Sequence, residues 1–341
     1  MQDEAQNSTN AAGSGASTAW LAHNDEVSDN SVAKDQITVE LTAAVIAIRN
    51  EQPVVLTKLQ PPGATEAPDA LPSAQFRPAF HSTLEEAIRT GVESETGLDL
   101  GFLEQLSSDC PHQLKVAHGG RILRKLSIGH LALTRADRGA FAGEAVWASI
   151  YAYFPWEDWR SGRPAVLSQD IIPQLTTWVA QDPGHVVLQH PLCRRERVAI
   201  AFGLDGGRWD DERVLERLDL LSESGLAAHG VERTMHRGHR RTLAAALGRL
   251  RAKIRHRPVV FELLPPEFTL FELQKSVEAI LGPHLHKQNF RRLVEGTGLV
   301  EPTGEVRTHT GGRPAKLFRF RREVLLERPA PGVRVRPARA S

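Results

Sequence analysis

The chain has 341 residues, of which 41% are hydrophobic and 24% are charged, and its formal net charge is +1. This balance is typical of a soluble globular protein with at least two domains. Its two cysteines, Cys110 and Cys193, are too few for a disulfide framework or a zinc cluster, which favours a cytoplasmic location. No window reaches eighteen uninterrupted apolar residues, so we expect no membrane helix.

The near-neutral total conceals an uneven distribution of charge along the chain. Residues 233–341 carry 23 Lys and Arg against 9 Asp and Glu, whereas residues 1–232 carry 19 against 32. Polyphosphate is the commonest partner of a basic module, and an acidic body attached to that module does not strengthen the contact. The sequence therefore predicts a basic part that binds nucleic acid and an acidic body with a different task.

The first predicted elements follow a polar opening segment. Residues 1–36 are rich in Asn, Ser, Ala, Gly and Asp, and we expect a disordered tail there. A β-branched run at residues 37–48 and a second run at residues 54–58 predict a β-hairpin. Further strands are expected at residues 125–134 and 145–154, which together indicate a mixed sheet with a central loop and helix.

A helix is predicted between the second and third strands. Thr83 is its N-cap, Glu86 completes a capping box, and the helix ends at Gly97. Leu71 and Pro72 end the loop that precedes it.

The end of this helix resembles the close of the Nudix box, a loop and helix that hold divalent metal against a pyrophosphate. With Gly97 aligned, the Arg-Glu pair of that motif falls on Thr90 and Gly91. Hydrolysis needs several carboxylates on one helix face, so the resemblance implies a Nudix shape that binds a nucleotide without catalysis. A second interpretation is an unrelated α+β sheet domain in which Glu-Thr-Gly is only a helix stop. The positions that match the motif are Val92, Glu95, Gly97 and Leu98.

Candidate effector ligands follow from the same resemblance. Arg77, Phe80 and His81 lie on the loop that faces substrate in Nudix folds, and Glu95 is the carboxylate retained on the helix. A separate group at residues 151–160 holds four of the chain's eight Tyr and Trp residues. That group is either an aromatic cluster that closes the domain or a platform on which an adenine ring stacks.

Two amphipathic helices are predicted in the segment from residue 191 to residue 257. The first, at residues 209–221, begins with acidic residues, and the second, from about Arg241 to Ile254, carries many arginines. These helices pack against their own domain or form a dimer contact, because proteins that read DNA usually meet paired half-sites. The Arg-rich helix could also lie along phosphate.

The basic module begins with a short predicted strand at residues 258–264. Thr269 and Glu272 then form a capping box at the start of a helix that ends at Gly282. A second helix at residues 287–295 presents Phe290, Leu293 and Val294 on one face, and its polar residues point away from the core. Lys and Arg pair with guanine or phosphate, and Gln and Asn pair with adenine, so this exposed set can read DNA.

A predicted hairpin completes the module, with strands at residues 299–301 and 316–320 and a long turn from Pro302 to Pro314. Strand, helix, helix and hairpin is the order of a winged helix, whose second helix enters the major groove and whose wing reaches the flanking backbone. A winged helix used only for protein contacts is the competing interpretation. The DNA-binding candidates are Lys287, Gln288, Asn289, Arg291, Arg292, Arg313 and Lys316.

The combination of a degenerate Nudix domain with four segments of the module resembles the Nudix-related transcriptional regulators of NAD metabolism, in their proteobacterial branch. The resemblance implies a repressor of NAD-biosynthesis genes that binds palindromic double-stranded DNA as a homodimer. It also implies an adenine-containing effector, NAD, ATP or ADP-ribose, and no required cofactor, metal or catalytic residue. The four segments are residues 259–265, 268–274, 286–292 and 312–320.

The predicted fold class is α+β, a Nudix-like mixed α/β/α sandwich followed by connecting helices and a carboxyl-terminal winged helix-turn-helix domain. An alternative function is a Nudix pyrophosphohydrolase of ADP-ribose or a dinucleotide whose tail binds nucleic acid. The predicted parts are a disordered tail at 1–36, the Nudix-like effector domain at 37–190, connecting or dimerisation helices at 191–257, the winged helix at 258–325 and a flexible basic tail at 326–341.

Overall fold

The structure is a computed structural model that describes most of the chain. The predicted amino-terminal tail up to residue 35, Cys110 and the wing residue Arg313 lie outside the described part. The described residues are 36–58, 68–109, 115–116, 122–137, 145–181, 192–308, 314–327 and 331–333.

Seven strands form one mixed sheet in the acidic body. The order across the sheet is β4-β6-β1-β2-β7, while β3 pairs with β1 and β5 pairs with β6. β1 and β6 run parallel, and the other neighbours are antiparallel. The strands are β1 (Gln36–Arg49), β2 (Gln52–Lys58), β3 (Ser73–Gln75), β4 (Phe102–Asp109), β5 (Lys115–Val116), β6 (Ile122–Leu133) and β7 (Ala145–Ser149).

The predicted hairpin of β1 and β2 is confirmed. Asn50 and Glu51, the two residues of its turn, both have positive φ, as a type I′ turn requires. The strand expected at residues 145–154 is shorter than predicted, because the chain leaves the sheet after Ser149 in a 3-10 turn at Ile150–Ala152.

Helix α1 (Leu84–Thr96) covers one face of the sheet. Thr83 caps it as predicted, because the Thr83 hydroxyl accepts a hydrogen bond from the Glu86 N–H at 3.0 Å. The Glu86 carboxylate accepts from the N–H of Ser82 at 2.7 Å. The helix ends at Gly97, whose φ of 69° lies in the left-handed region that favours glycine.

Helix α5 (Arg237–His256) covers the opposite face and completes the predicted α/β/α sandwich. Its apolar side chains Leu243, Leu247 and Leu250 are fully buried in one core with residues of β1 and β6. Arg249 and Lys253 of α5 both pair with Glu104 on β4, so these cations are engaged within the protein. The smaller helices of this side are α2 (Ile172–Ala180), α3 (Arg194–Phe202) and α4 (Val214–Glu223).

The carboxyl-terminal unit is a winged helix with the predicted order of elements. Its strands form a second sheet in the order β8-β10-β9. The predicted turn from Pro302 to Pro314 is too long, because the strand that precedes it continues to Arg307. The elements are β8 (Glu267–Phe268), α6 (Leu270–Leu281), α7 (Lys287–Thr297), β9 (Val300–Arg307), β10 (Ala315–Phe320) and α8 (Val324–Glu327).

One predicted strand of this unit was wrong. Residues 258–264 contain a 3-10 helix, Val259–Leu263, and the strand lies at Glu267–Phe268, where it pairs with β10. The 3-10 helix places the ring of Phe261 on the ring of Phe320 at 4.5 Å between centroids. Packing in the tertiary structure thus overrides the β-branched composition of the segment.

Of the predicted flexible basic tail at residues 326–341, the structure describes residues 326–327 and 331–333. Leu326 still belongs to α8, and residues 331–333 are buried. The Val333 N–H donates to the carbonyl of Ile254 on α5 at 2.8 Å. The apolar side chain of Val333 is fully buried, and its burial stabilises the packing of residues 331–333 against α5. The other domain limits predicted from the sequence stay predictions.

A buried ionic cluster connects the sandwich to the winged helix. Glu157, Arg217 and Arg251 are fully buried, with Arg217 Nε 2.7 Å and Arg251 Nη1 2.5 Å from the Glu157 carboxylate. Arg251 also donates to the carbonyl of Ile280 at the end of α6, and the Tyr151 hydroxyl donates to the carbonyl of Ala279.

Among the helices that the structure describes, none combines the length and the apolar character that crossing a lipid bilayer requires.

Candidate nucleic-acid interface and effector pocket

Two buried polar side chains fix where α7 begins. Glu278 Oε1 accepts a hydrogen bond from the Leu285 N–H at 2.9 Å, and Gln274 Nε2 donates to the Leu285 carbonyl at 2.8 Å. Burial raises the pKa of Glu278. The pKa nevertheless lies below its ordinary value, because the carboxylate accepts hydrogen bonds from Gln274 and Leu285 and lies beside the charge of Lys275. No sequence pattern singled out this pair, because both residues lie beside an apolar stripe that already accounts for the helix.

The exposed face of α7 carries the predicted DNA-binding residues. Phe290 and Val294 are buried on the inner face, which turns the polar residues outward. Arg292 Nη2 donates a hydrogen bond to the side-chain Oδ1 of Asn289 at 3.4 Å on the same helix. Within the described part of the chain, the cations of α7 have no ion-pair partner. The exposed residues are Lys287, Gln288, Asn289, Arg291 and Arg292.

The wing contributes fewer free cations than its composition suggests. Lys316 on β10 is exposed. Arg307 pairs with Glu272 at 2.5 Å, and Arg319 pairs with Glu301 at 2.6 Å. These two arginines are therefore engaged with carboxylates of the winged helix itself.

A pocket of about 280 Å³ lies between α1 and the segment that follows β3. The structure brings the predicted residues Arg77, Phe80 and His81 together in its lining, beside Thr90 and Gly91 of α1. The backbone N–H of Arg77 donates to Nδ1 of His81 at 3.2 Å. The Phe80 side chain is 75% exposed, so its ring is available to a ligand.

Glu95 does not line this pocket. Its Oε1 lies 2.7 Å from Nζ of Lys58 at the end of β2. Its Oε2 is buried and has no hydrogen-bond partner among the described residues. Lys58 was not singled out in the sequence, where it is only the last residue of a predicted strand.

The other carboxylates of α1 do not assemble into a metal site with Glu95. Glu85 pairs with Arg89 at 2.9 Å, and Glu86 caps the start of the helix. Glu93 is exposed. In the part of the chain that the structure describes, one group of three acidic residues has its ligand atoms close together, and it is Asp210, Asp211 and Glu212 before α4.

Two nearby arginines already bind carboxylates of that acidic group. Arg255 Nη2 lies 2.6 Å from Asp211, and Arg213 Nε lies 3.2 Å from Asp210. These ion pairs with arginines account for the three carboxylates lying close together.

The aromatic group at residues 151–160 closes the core. Tyr151, Tyr153, Phe154 and Trp156 are all buried, with at most 6% exposure. Trp159 packs on the ring of Trp209 at 4.8 Å. Of the two interpretations left open by the sequence, the structure supports the cluster that closes the domain, because buried rings offer no face to an adenine.

Comparison with known proteins identifies the carboxyl-terminal unit. Residues 260–320 match the family described as the NrtR DNA-binding winged helix domain. The ADPR responsive transcriptional repressor NtrR of Acinetobacter baylyi is 44% identical over 82 residues. This match covers 24% of the chain and 32% of the relative, so the chain spans about a third of the relative's length.

Two solved structures are similar over most of the chain at low identity. Shewanella oneidensis NrtR complexed with a 27mer DNA has a TM-score of 0.49 and 18% identity, covering 84% of this chain and 94% of that one. A MutT/nudix family protein from Enterococcus faecalis has a TM-score of 0.48 and 17% identity, covering 88% and 90%. In this chain, α1 and α5 cover the two faces of the seven-stranded mixed sheet. The carboxyl-terminal unit of this chain has the order of elements of a winged helix, and it is similar in sequence to the NrtR DNA-binding winged helix domain.

Proposed function

We propose that the chain is a DNA-binding transcriptional regulator, a cytoplasmic repressor of NAD-biosynthesis genes, whose DNA affinity depends on a nucleotide bound in the Nudix-like body. The single observation that carries the proposal is the exposed face of α7. It presents three cations without ion-pair partners in the described structure, on a domain that matches the NrtR DNA-binding winged helix. Unpaired cations on one face are the arrangement that a duplex with its regular phosphates can neutralise.

Each element of the winged helix has a distinct task in this proposal. Arg291, Arg292 and Lys287 on α7 contact guanine edges or phosphates in the major groove, and Gln288 and Asn289 can contact adenine. Lys316 on the wing reaches the flanking backbone, and we assign the same role to Arg313. A homodimer places two such helices on the halves of a palindromic operator.

ADP-ribose is the effector that we propose, ahead of NAD and ATP, because the Acinetobacter baylyi relative is named as ADPR responsive. The pocket lined by Arg77, Phe80 and His81 offers a cation for phosphate and aromatic rings for the adenine. An effector changes DNA affinity only through its differential affinity for two arrangements of the protein. The buried cluster that binds the carboxyl end of α6 is a rigid path for such coupling.

We further propose that the Nudix-like body is not an enzyme. The carboxylates of α1 point to separate partners, and hydrolysis of a pyrophosphate needs several of them around metal. Purified protein incubated with ADP-ribose and Mg²⁺ or Mn²⁺ should release no AMP above the rate without protein. Release of many AMP molecules per protein molecule would show that the chain is a pyrophosphohydrolase.

The decisive experiment measures binding to fluorescently labelled fragments that precede NAD-biosynthesis genes. We expect the double substitution R291E/R292E to abolish specific binding, because it replaces two positive charges on the groove-facing helix with negative ones. A matched control is R163E/R208E, which makes the same change of charge at two exposed arginines outside the winged helix. Log affinity should also fall with log salt by about 0.9 for each phosphate contacted.

Two results would contradict the proposal. One is equal loss of binding in the two double variants, since net charge alone would then explain it. The other is an affinity that does not change with salt, which would favour a winged helix that contacts proteins. Addition of ADP-ribose must shift the DNA titration in one direction, and the binding curve gives its sign.

A further inference from the structure

The Nudix box that the end of α1 resembles holds a divalent cation, and the residues present on α1 do not fit one. Mg²⁺ is held by oxygen donors in near-octahedral geometry. Glu95 is the retained motif carboxylate, and an ammonium group already lies 2.7 Å from its Oε1. Its Oε2 is buried within the protein. A second cation at this carboxylate would be repelled by Lys58, because like charges at such short range are unfavourable.

The sheet directs Lys58 toward α1. Along β2, the side chain of Leu56 is buried against α1, and residues two apart on a strand share a face. Across the strand pair, Lys58 lies opposite Ala145, which is buried in the same cluster. The side chains of Lys58 and Glu95 are 35% and 34% exposed, so about one third of each side chain is accessible to solvent and to a ligand.

The Lys58–Glu95 pair and the pocket lie along the same side of α1. Gly91 lines the pocket, and Glu95 lies one helical turn further, a rise of about 6 Å. The neighbouring segment lies alongside α1 in the opposite direction, because Ala74 packs on Gly91 and Ala70 bridges to Lys58. The same side of α1 thus connects the pocket to Lys58.

We propose that the Lys58 ammonium replaces the divalent cation and binds the pyrophosphate of the effector directly. This inference rests on the proposed function and specifies how its effector is recognised. An ammonium has three donors, and Glu95 uses one of them, which leaves two for phosphate oxygens. Glu95 positions the ammonium and at the same time weakens its attraction for the anion.

The proposal predicts opposite signs for the two halves of the pair. Lys58→Gln removes a charge-assisted contact, so it should weaken ADP-ribose binding about tenfold or more. Glu95→Gln removes a negative charge beside the pyrophosphate, so ADP-ribose should bind as tightly as before or tighter. If Glu95 were a metal ligand, the same substitution would weaken binding.

The test is calorimetric titration of the full chain with ADP-ribose, once in EDTA and once in MgCl₂. We expect equal affinity in both buffers. Lys125→Gln is the matched control, because Lys125 makes a similar pair with Glu40 at 2.6 Å on the same sheet. Leu126, which follows Lys125, and Val39 and Leu41, which flank Glu40, pack in the cluster that faces α1, so this pair lies on the other face of the sheet. Titration with adenosine, which has no phosphate, checks that each variant retains its pocket.

Each outcome decides the matter. Loss of binding in EDTA, or weaker binding by Glu95→Gln, overturns the proposal in favour of a metal site. Unchanged affinity of Lys58→Gln, or an equal loss in Lys125→Gln, overturns it while leaving the proposed effector intact. A wild-type chain that binds its DNA and does not bind ADP-ribose overturns both the effector and the role of Lys58.

Discussion

A single neutral histidine joins the loop before β3 to the start of α5. His239 Nδ1 accepts a hydrogen bond from the backbone N–H of buried Leu71 at 3.1 Å. Burial, and next the charge of His236, lowers the pKa of His239 to about 4. Protonation would turn the acceptor into a donor and break this contact.

This histidine predicts how stability depends on pH. Its folded-state pKa lies below the unfolded value of about 6.5, so its contribution is complete above that value and is lost as pH falls toward 4. We expect the thermal midpoint to fall between pH 7 and pH 5. His239→Asn keeps an acceptor that does not protonate at these pH values, and it should flatten this part of the curve.

The control for this measurement is His256→Asn, at the exposed far end of the same helix. It tests whether removing an imidazole that does not contact Leu71 also flattens the curve. A His239→Asn variant with the wild-type slope would show that another group titrates there.

At the scale of elements, α6 owes its start to a complete capping box. The Thr269 hydroxyl accepts from the Glu272 N–H at 3.2 Å, and the Glu272 carboxylate accepts from the Thr269 N–H at 2.8 Å. The same carboxylate pairs with Arg307 of β9, so the cap also ties the helix to the wing.

Removal of this cap should destabilise the winged helix. Thr269→Ala leaves the Glu272 N–H without its partner and should lower the free energy of unfolding by about 1 kcal/mol, measured in urea. Thr269→Ser keeps the hydroxyl and should recover most of the loss. An equal loss in the Ser variant would assign the effect to packing of the threonine methyl group.

The elements also show where sequence patterns succeed. The caps and apolar stripes of α1, α6 and α7 depend on neighbours within a few residues, and all three helices lie where the sequence predicted them. The strand expected at residues 258–264 failed because Phe261 packs against Phe320, which is 59 residues away in the sequence and invisible to a local pattern.

At the scale of the molecule, sandwich and winged helix share one hydrophobic core. The fully buried Glu157 lies at their junction. Burial raises the pKa of Glu157, but the charges of Arg217 and Arg251 hold that pKa below its ordinary value. The folded pKa is depressed, so this carboxylate stabilises the protein at neutral pH and loses its effect as pH falls through that pKa. Both domains depend on it.

We therefore expect the two domains to unfold together. All six tryptophans precede residue 210, so the fluorescence comes entirely from side chains of residues 1–232. Hydrogen exchange of α6 amides, followed by mass spectrometry, reports the winged helix. Both midpoints in urea should coincide, and Glu157→Gln should lower both by the equivalent of about 3–5 kcal/mol, because it leaves two buried guanidiniums without their carboxylate.

A surface pair provides the comparison. Arg197 and Glu223 pair at 2.6 Å with the carboxylate partly exposed, and Glu223→Gln should change stability by at most about 1 kcal/mol. Separate midpoints for tryptophan fluorescence and α6 exchange in the wild type would show that the domains unfold independently.

The sequence by itself determined the charge division, the places of α1, α6 and α7, the winged-helix order and the exposed face of α7, because each depends on composition or on residues three or four positions apart. Only the tertiary structure decided the partners of Glu95 and Glu157. Lys58 is 37 residues from Glu95, and Arg251 is 94 residues from Glu157. Such contacts arise when strands take their register and helices cover the sheet, and no local spacing encodes them.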